Sequence, residues 1–171
     1  MKNFARKLLL LMIMLVCSYT QTVFASDPES GWWWNANESG RGFSIEKQGN
    51  NIFFATYLYD DSGNPTWYTA LLRKDSNQGF IGNLQQFKDG QTLFGSYQAP
   101  SILDENAGEI TLNFSDEKNG TLSWPGGTVE ITRFIFGSSQ NTAKTGWWWN
   151  GNESGRGYSI EKQGDKIFFA G

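Results

Sequence analysis

Two stretches of this chain are nearly the same. Residues 31–55 read GWWWNANESGRGFSIEKQGNNIFFA and residues 146–170 read GWWWNGNESGRGYSIEKQGDKIFFA, an offset of 115. Four positions differ: Ala36/Gly151, Phe43/Tyr158, Asn50/Asp165 and Asn51/Lys166. Self-similarity at this length marks a repeated structural unit. It divides the 171 residues into an N-terminal tail (26–30) after a leader, one whole unit (31–137), a small polar linker (138–145) and the opening of a second unit (146–171). Those last 26 residues read as strands, and a strand pair alone is marginal in water because it cannot bury its own apolar face. The opening of the second unit therefore belongs to a longer two-unit protein, which we favour, or borrows partners from the first unit or from another molecule.

Within the whole unit the apolar period is two. Phe43 and Ile45 alternate with Ser44 and Glu46. Ile52, Phe54 and Leu58 share one face of the next segment, and Phe53, Ala55, Tyr57 and Tyr59 share the other. Such alternation is the mark of half-buried strands. After strands at 42–48 and 51–59, further strands are expected at 65–73, 79–86, 91–98, 108–115, 119–124 and 128–136, separated by Asn, Asp, Gly and Pro breakers. Residues 99–107 are the one stretch that could form a turn of helix. The pattern predicts an all-β fold: an antiparallel meander of about eight strands closed into a small barrel, with a β-sandwich as the alternative. Closure hides the sheet edges that an open meander leaves adhesive.

The N-terminus speaks to compartment. Lys2, Arg6 and Lys7 precede an apolar run from Leu8 to Val16, and Val23-Phe24-Ala25 forms a small-x-small cleavage site. Residues 1–25 therefore read as a secretory signal peptide; the run is too short to span a bilayer. Cys17 raises lipid anchoring, but Val16 before it is bulkier than such processing accepts. The protein is expected to be exported, periplasmic or extracellular, with no transmembrane segment after the leader. The mature chain then carries 11 basic and 17 acidic residues, a net of −6, and no cysteine. Core packing alone must hold it together, and its acidity argues against nucleic acid as a partner.

Chemistry is constrained by what is missing. With 0 His in the chain, imidazole-activated nucleophiles and His-ligated zinc are excluded. Ser39 lacks the first glycine of a nucleophile elbow. Glu38, Glu46, Asp60 and Glu130 could supply a hydrolytic carboxylate pair only if two of them face each other across a cleft. Asp60-Asp61-Ser62-Gly63-Asn64 reads more simply as a hairpin turn than as a calcium loop. No catalytic residue, metal or cofactor is expected.

The aromatic residues are more informative. Three consecutive Trp on a strand cannot share a face: Trp32 and Trp34 point one way and Trp33 the other. Gly40 and Gly42 flank Arg41 and suggest a positive-φ turn or bulge that re-aims it. An outward Trp33 or Trp34 beside Asn35 and Arg41 would offer a flat apolar face with hydrogen-bond donors, suited to a sugar or aromatic ring. The competing expectation is that these residues plug one barrel end, with Arg41 stacked on a Trp. Tyr57, Tyr59 and Trp67 form a second group that either lines a barrel mouth or packs across strands without a ligand.

The strings Gly31-Trp32-Trp33-Trp34-Asn35, Glu38-Ser39-Gly40-Arg41-Gly42, Tyr59-Asp60 and Ser62-Gly63-Asn64-Pro65-Thr66-Trp67-Tyr68 resemble a repeat family of secreted bacterial proteins. In that family the run typically reads GWWWNP-x-ESGRGF, followed by an aromatic strand and a YD-x-SG-x-P-x-WY turn. The likeness covers residues 31–70 and 146–170 and departs at Ala36 and Gly151, where the family usually has proline. It implies export and modularity, and carries no implied chemistry. The opening Gly-x-Trp is also similar to the first strand of avidin- and lipocalin-type barrels, a likeness of fold only. Together these readings predict a non-enzymatic module binding a glycan or a small apolar or aromatic ligand through Trp33, Trp34, Asn35, Arg41, Tyr57, Tyr59 and Trp67. The alternatives are a cell-envelope assembly module that self-associates through homotypic β contacts of the partial repeat, and an accessory domain of an exported hydrolase.

Overall fold

A computed structural model describes residues 27–77, 79–137, 145–153 and 155–171. The expected signal peptide (1–25), with Cys17, and nearly all of the expected linker lie outside the described residues. The alternating segments become strands β1 (Gly31–Asn35), β2 (Glu38–Gln48), β3 (Asn51–Tyr59), β4 (Pro65–Lys74), β5 (Phe80–Asn83), β6 (Gln85–Asp89), β7 (Pro100–Asp104), β8 (Glu109–Phe114), β9 (Asn119–Trp124) and β10 (Gly127–Arg133). The repeat's second copy adds β11 (Gly146–Trp149), β12 (Gly157–Gln163) and β13 (Lys166–Ala170). Among the described residues no helix is long and apolar enough to cross a membrane.

Every pairing is antiparallel. The ring runs β1-β2-β3-β4-β5-β8-β9-β10 and closes where Trp33 and Trp34 of β1 pair with Arg133 and Thr132 of β10. This is a closed eight-stranded meander barrel. A ring of eight leaves an interior that side chains just fill. Here Trp33, Phe43, Ile45, Ile52, Phe54, Ala70, Leu72, Phe80, Ile110, Leu112, Phe114, Leu122, Val129 and Ile131 fill it, all from the first copy. Trp33 packs edge-on against Phe114 with ring centroids 5.3 Å apart, and its indole N–H donates to the Glu29 carbonyl at 3.1 Å.

β5 and β6 run along β4 in one register, interrupted at Leu84. From there β6 and β7 leave the ring as a hairpin, and only Tyr68 and Thr69 of β4 still pair with it. Two expectations are corrected at this hairpin. Residues 91–98 form its tip and are not a strand, whereas 100–104, within the stretch expected to make a helical turn, are β7. Among the described residues no strand of the sheet includes 91–98. Phe87 gives Ile102 its cross-strand partner.

The second copy keeps the register of the first. Trp147 pairs with Ser159 and Glu161 with Phe168, as Trp32 pairs with Ser44 and Glu46 with Phe53. Among the described residues its three strands form a separate sheet, hydrogen-bonded strand to strand only with one another. What it takes from the barrel is side-chain cover on one face.

Candidate functional site

The strand pleat decides which tryptophans are available. Trp33 is wholly buried in the barrel, so Trp32 and Trp34 face outward. Gly42 lies opposite Trp34 and beneath Trp32; a Cβ there would sit 2.7 Å from the Trp32 ring, so glycine lets the indole lie flat on the sheet. Tyr57 stacks on that indole with ring centroids 5.5 Å apart, and its register partner on β4 is Trp67. Trp67 in turn lies parallel to Phe87 of β6, 5.1 Å away and 10° from coplanar.

The result is a row of aromatic faces on the barrel's outer wall, not at its mouth. Its Tyr57, Trp67 and Phe87 form one side of an open groove of about 1190 Å³, while Trp32 is covered by Phe168. Trp147, Trp149, Tyr158 and Phe169 of the second copy form the other side. Glu46, Gln48, Thr69, Gln85, Gln91 and Arg156 place polar groups between them. Flat apolar walls with a few convergent hydrogen-bonding groups are what a small-ligand site needs.

The seven residues expected to form a site are thus divided. Tyr57, Tyr59 and Trp67 line the groove. Trp33 belongs to the core. Trp34 packs edge-on against Phe134 at 5.2 Å, and the Asn35 side chain accepts the Asn37 N–H at 2.8 Å to shape the β1–β2 turn. Gly40, at φ +91°, turns the chain ahead of Arg41. The Arg41 guanidinium lies 5.3 Å over the Trp124 ring and pairs with Glu38, at the end of the barrel. Arg156, its counterpart in the second copy, also reaches its own i−3 glutamate, Glu153, but donates to the Gly95 carbonyl at the tip of the β6–β7 hairpin, at 3.1 Å. Sequence reasoning missed Phe87 and the whole opposite wall, although Trp147, Trp149 and Tyr158 stand in the repeat it had recognised.

The four acids considered for hydrolysis find separate partners. Glu46 accepts from Gln48 and from the Trp147 N–H, and Glu130 accepts from Thr121. Asp60 accepts the Ser62 and Asn64 N–H groups, which fixes the β3–β4 turn; these bonds hold its carboxyl below the usual carboxylate range.

Burial pushes the Tyr57 hydroxyl up to about 12, so it stays a neutral donor under ordinary conditions. Because the unfolded chain gives up this proton first, near pH 10, the folded state is expected to lose up to about 2 kcal/mol between pH 10 and 12. Denaturant midpoints over that range should fall more steeply for the native chain than for Tyr57→Phe. Parallel curves would mean that the hydroxyl is not desolvated.

In comparisons with protein-family models, curated proteins and solved structures, nothing matches the chain.

Proposed function

We propose that the protein is an exported, non-enzymatic binding module that holds a glycan, or a small ligand with flat apolar faces, in the groove between its two copies. The observation that carries this reading is the row of outward rings Tyr57, Trp67 and Phe87 in an open groove whose other side is lined by Trp147, Trp149 and Tyr158. Sugar rings present C–H faces to stack on aromatics and hydroxyls at their rims to meet amides and carboxylates. Gln48, Gln85, Gln91 and Glu46 supply the latter here. The leader-like N-terminus and the resemblance to a secreted repeat family support an exported module, which would meet cell-wall and extracellular glycans.

The test is a tryptophan-fluorescence melt of residues 26–171 with peptidoglycan fragments, bacterial polysaccharides and small aromatic compounds. A ligand at 100 times its Kd adds about 2.7 kcal/mol, a rise of roughly ten degrees for a domain of this size. Trp67→Ala should weaken binding at least about tenfold, some 1.4 kcal/mol, while leaving the unliganded melt cooperative. A cooperative melt that no compound moves would overturn the reading.

A further inference from the structure

One set of contacts between the two copies is reciprocal. The Trp32 N–H donates to Glu161 Oε2 at 2.5 Å, and the Trp147 N–H donates to Glu46 Oε2 at 2.8 Å. Trp32 packs on Phe168 with ring centroids 4.9 Å apart, and Trp147 packs on Phe53 at 5.2 Å. Ser44 Oγ and Ser159 Oγ lie 3.3 Å apart. Shifting each residue by the repeat offset of 115 turns every one of these contacts into its mate: Trp32 becomes Trp147, Glu46 becomes Glu161, Phe53 becomes Phe168. Ser44 meets its own counterpart. That reciprocity is the property of an isologous interface, with a local two-fold axis passing between the two serines.

Two further observations indicate what the surface recognises. None of the four positions that differ between the copies makes one of these contacts: 36 and 50 lie in turns, 51 is exposed at the end of β3, and 43 points into the barrel. The charges are also incomplete on one side. Glu161 receives Arg133 Nη2 at 2.6 Å, whereas Glu46 has Gln48 and the Trp147 N–H. Arg133 sits at the end of β10, and the second sheet consists of β11, β12 and β13 alone. Two whole units would give each glutamate an arginine from across the axis.

We propose that the outward face of β1–β3 is a self-recognition surface whose occupant is the same face of another copy of this repeat. In this chain β11–β13 supply that copy in cis; a unit without them takes it from a second molecule. The proposal goes beyond the ligand groove, and its readout needs no ligand.

The ring closes within residues 31–133 and its core is drawn from those residues alone, so residues 26–137 form a self-contained unit. A chain starting at residue 26 has no native cysteine. In residues 26–137, Ser44→Cys should form a disulfide-linked dimer under mild oxidation, because position 44 meets itself across the axis. In residues 26–171, Ser44→Cys with Ser159→Cys should instead close within one chain. Both should react roughly tenfold or more faster than controls carrying Asn113→Cys, an exposed site off the face, in place of Ser44→Cys, since docked thiols share a raised effective concentration. Trp32→Ala should abolish the dimer. A cooperatively melting 26–137 unit that sediments as a monomer at high micromolar concentration, and crosslinks no faster than the control, overturns the proposal. Where that unit does not fold, Ser44→Cys in the 26–171 chain carrying Phe168→Asp, which breaks docking in cis, decides the matter: linked dimers support the proposal and their absence overturns it.

Discussion

Arg133→Leu is expected to release β11–β13 from the barrel while the barrel itself stays folded. Arg133 and Glu161 form an ion pair at 2.6 Å with side chains only 1% and 2% exposed. The guanidinium also donates to the Trp32 carbonyl, and the carboxylate accepts the N–H of the same residue. An exposed pair of this kind contributes at most about 1 kcal/mol. Removing one partner of a buried pair costs about 3–5 kcal/mol, because the remaining charge stays desolvated and uncompensated.

The chain has a way to limit that cost. Glu161 returns to water if the second sheet lifts off, exposing Trp32, Phe168 and Trp147. The measured loss therefore cannot exceed the docking free energy, and it should appear as local opening. Hydrogen exchange is expected to accelerate in β12 and β13 and remain slow in β8–β10. The double variant Arg133→Leu with Glu161→Leu should recover much of the protection, since an apolar pair carries no desolvation cost. Unchanged exchange in β12 of Arg133→Leu would mean that the aromatic contacts alone hold the sheet.

Trp33→Ala is expected to destabilise the barrel by about 3–5 kcal/mol, the usual range for emptying a buried indole site. Its counterpart Trp148 occupies the same position of the same strand, opposite Tyr158 where Trp33 is opposite Phe43. Yet Trp33 is 0% exposed and Trp148 49%. Ile52 and Phe54, fully buried, likewise correspond to Ile167 and Phe169, which are 65% and 57% exposed. Trp148→Ala should therefore lower the unfolding free energy, read from denaturant titration, by less than about 1 kcal/mol, as surface substitutions do. Equal losses at the two positions would show that β11–β13 are covered in solution by something that buries them as fully as the barrel buries the first copy.

The alternation at 42–48 and 51–59, with turn residues at Gly49-Asn50 and Asp60–Asn64, was enough to read two strands and a hairpin. Similar signals downstream made a closed meander the economical outcome. Those signals are local: a side chain's alternation and a glycine's backbone freedom are written into neighbouring residues. The error at 91–98 arose because alternation is necessary for a strand but backbone pairing completes it, and among the described residues 91–98 joins no sheet. The site was less legible still. Tyr57 and Trp67 were expected to come together because they flank one turn. Phe87 joins them only because β6 continues along β4, and Trp147 only because the second copy docks there.

By itself, the sequence determined that this is an all-β chain built on one repeated unit, since periodicity and self-similarity survive any arrangement in space. It also determined that Trp33 must oppose Trp32 and Trp34, because the pleat alternates. Only the tertiary structure decided which of them faced inward. A strand carries no local mark of inside or outside; that distinction comes from the strands that close around it. The same 25-residue motif builds a sealed barrel wall in one copy and a sheet with an open face in the other, because burial belongs to the surroundings and not to the strand.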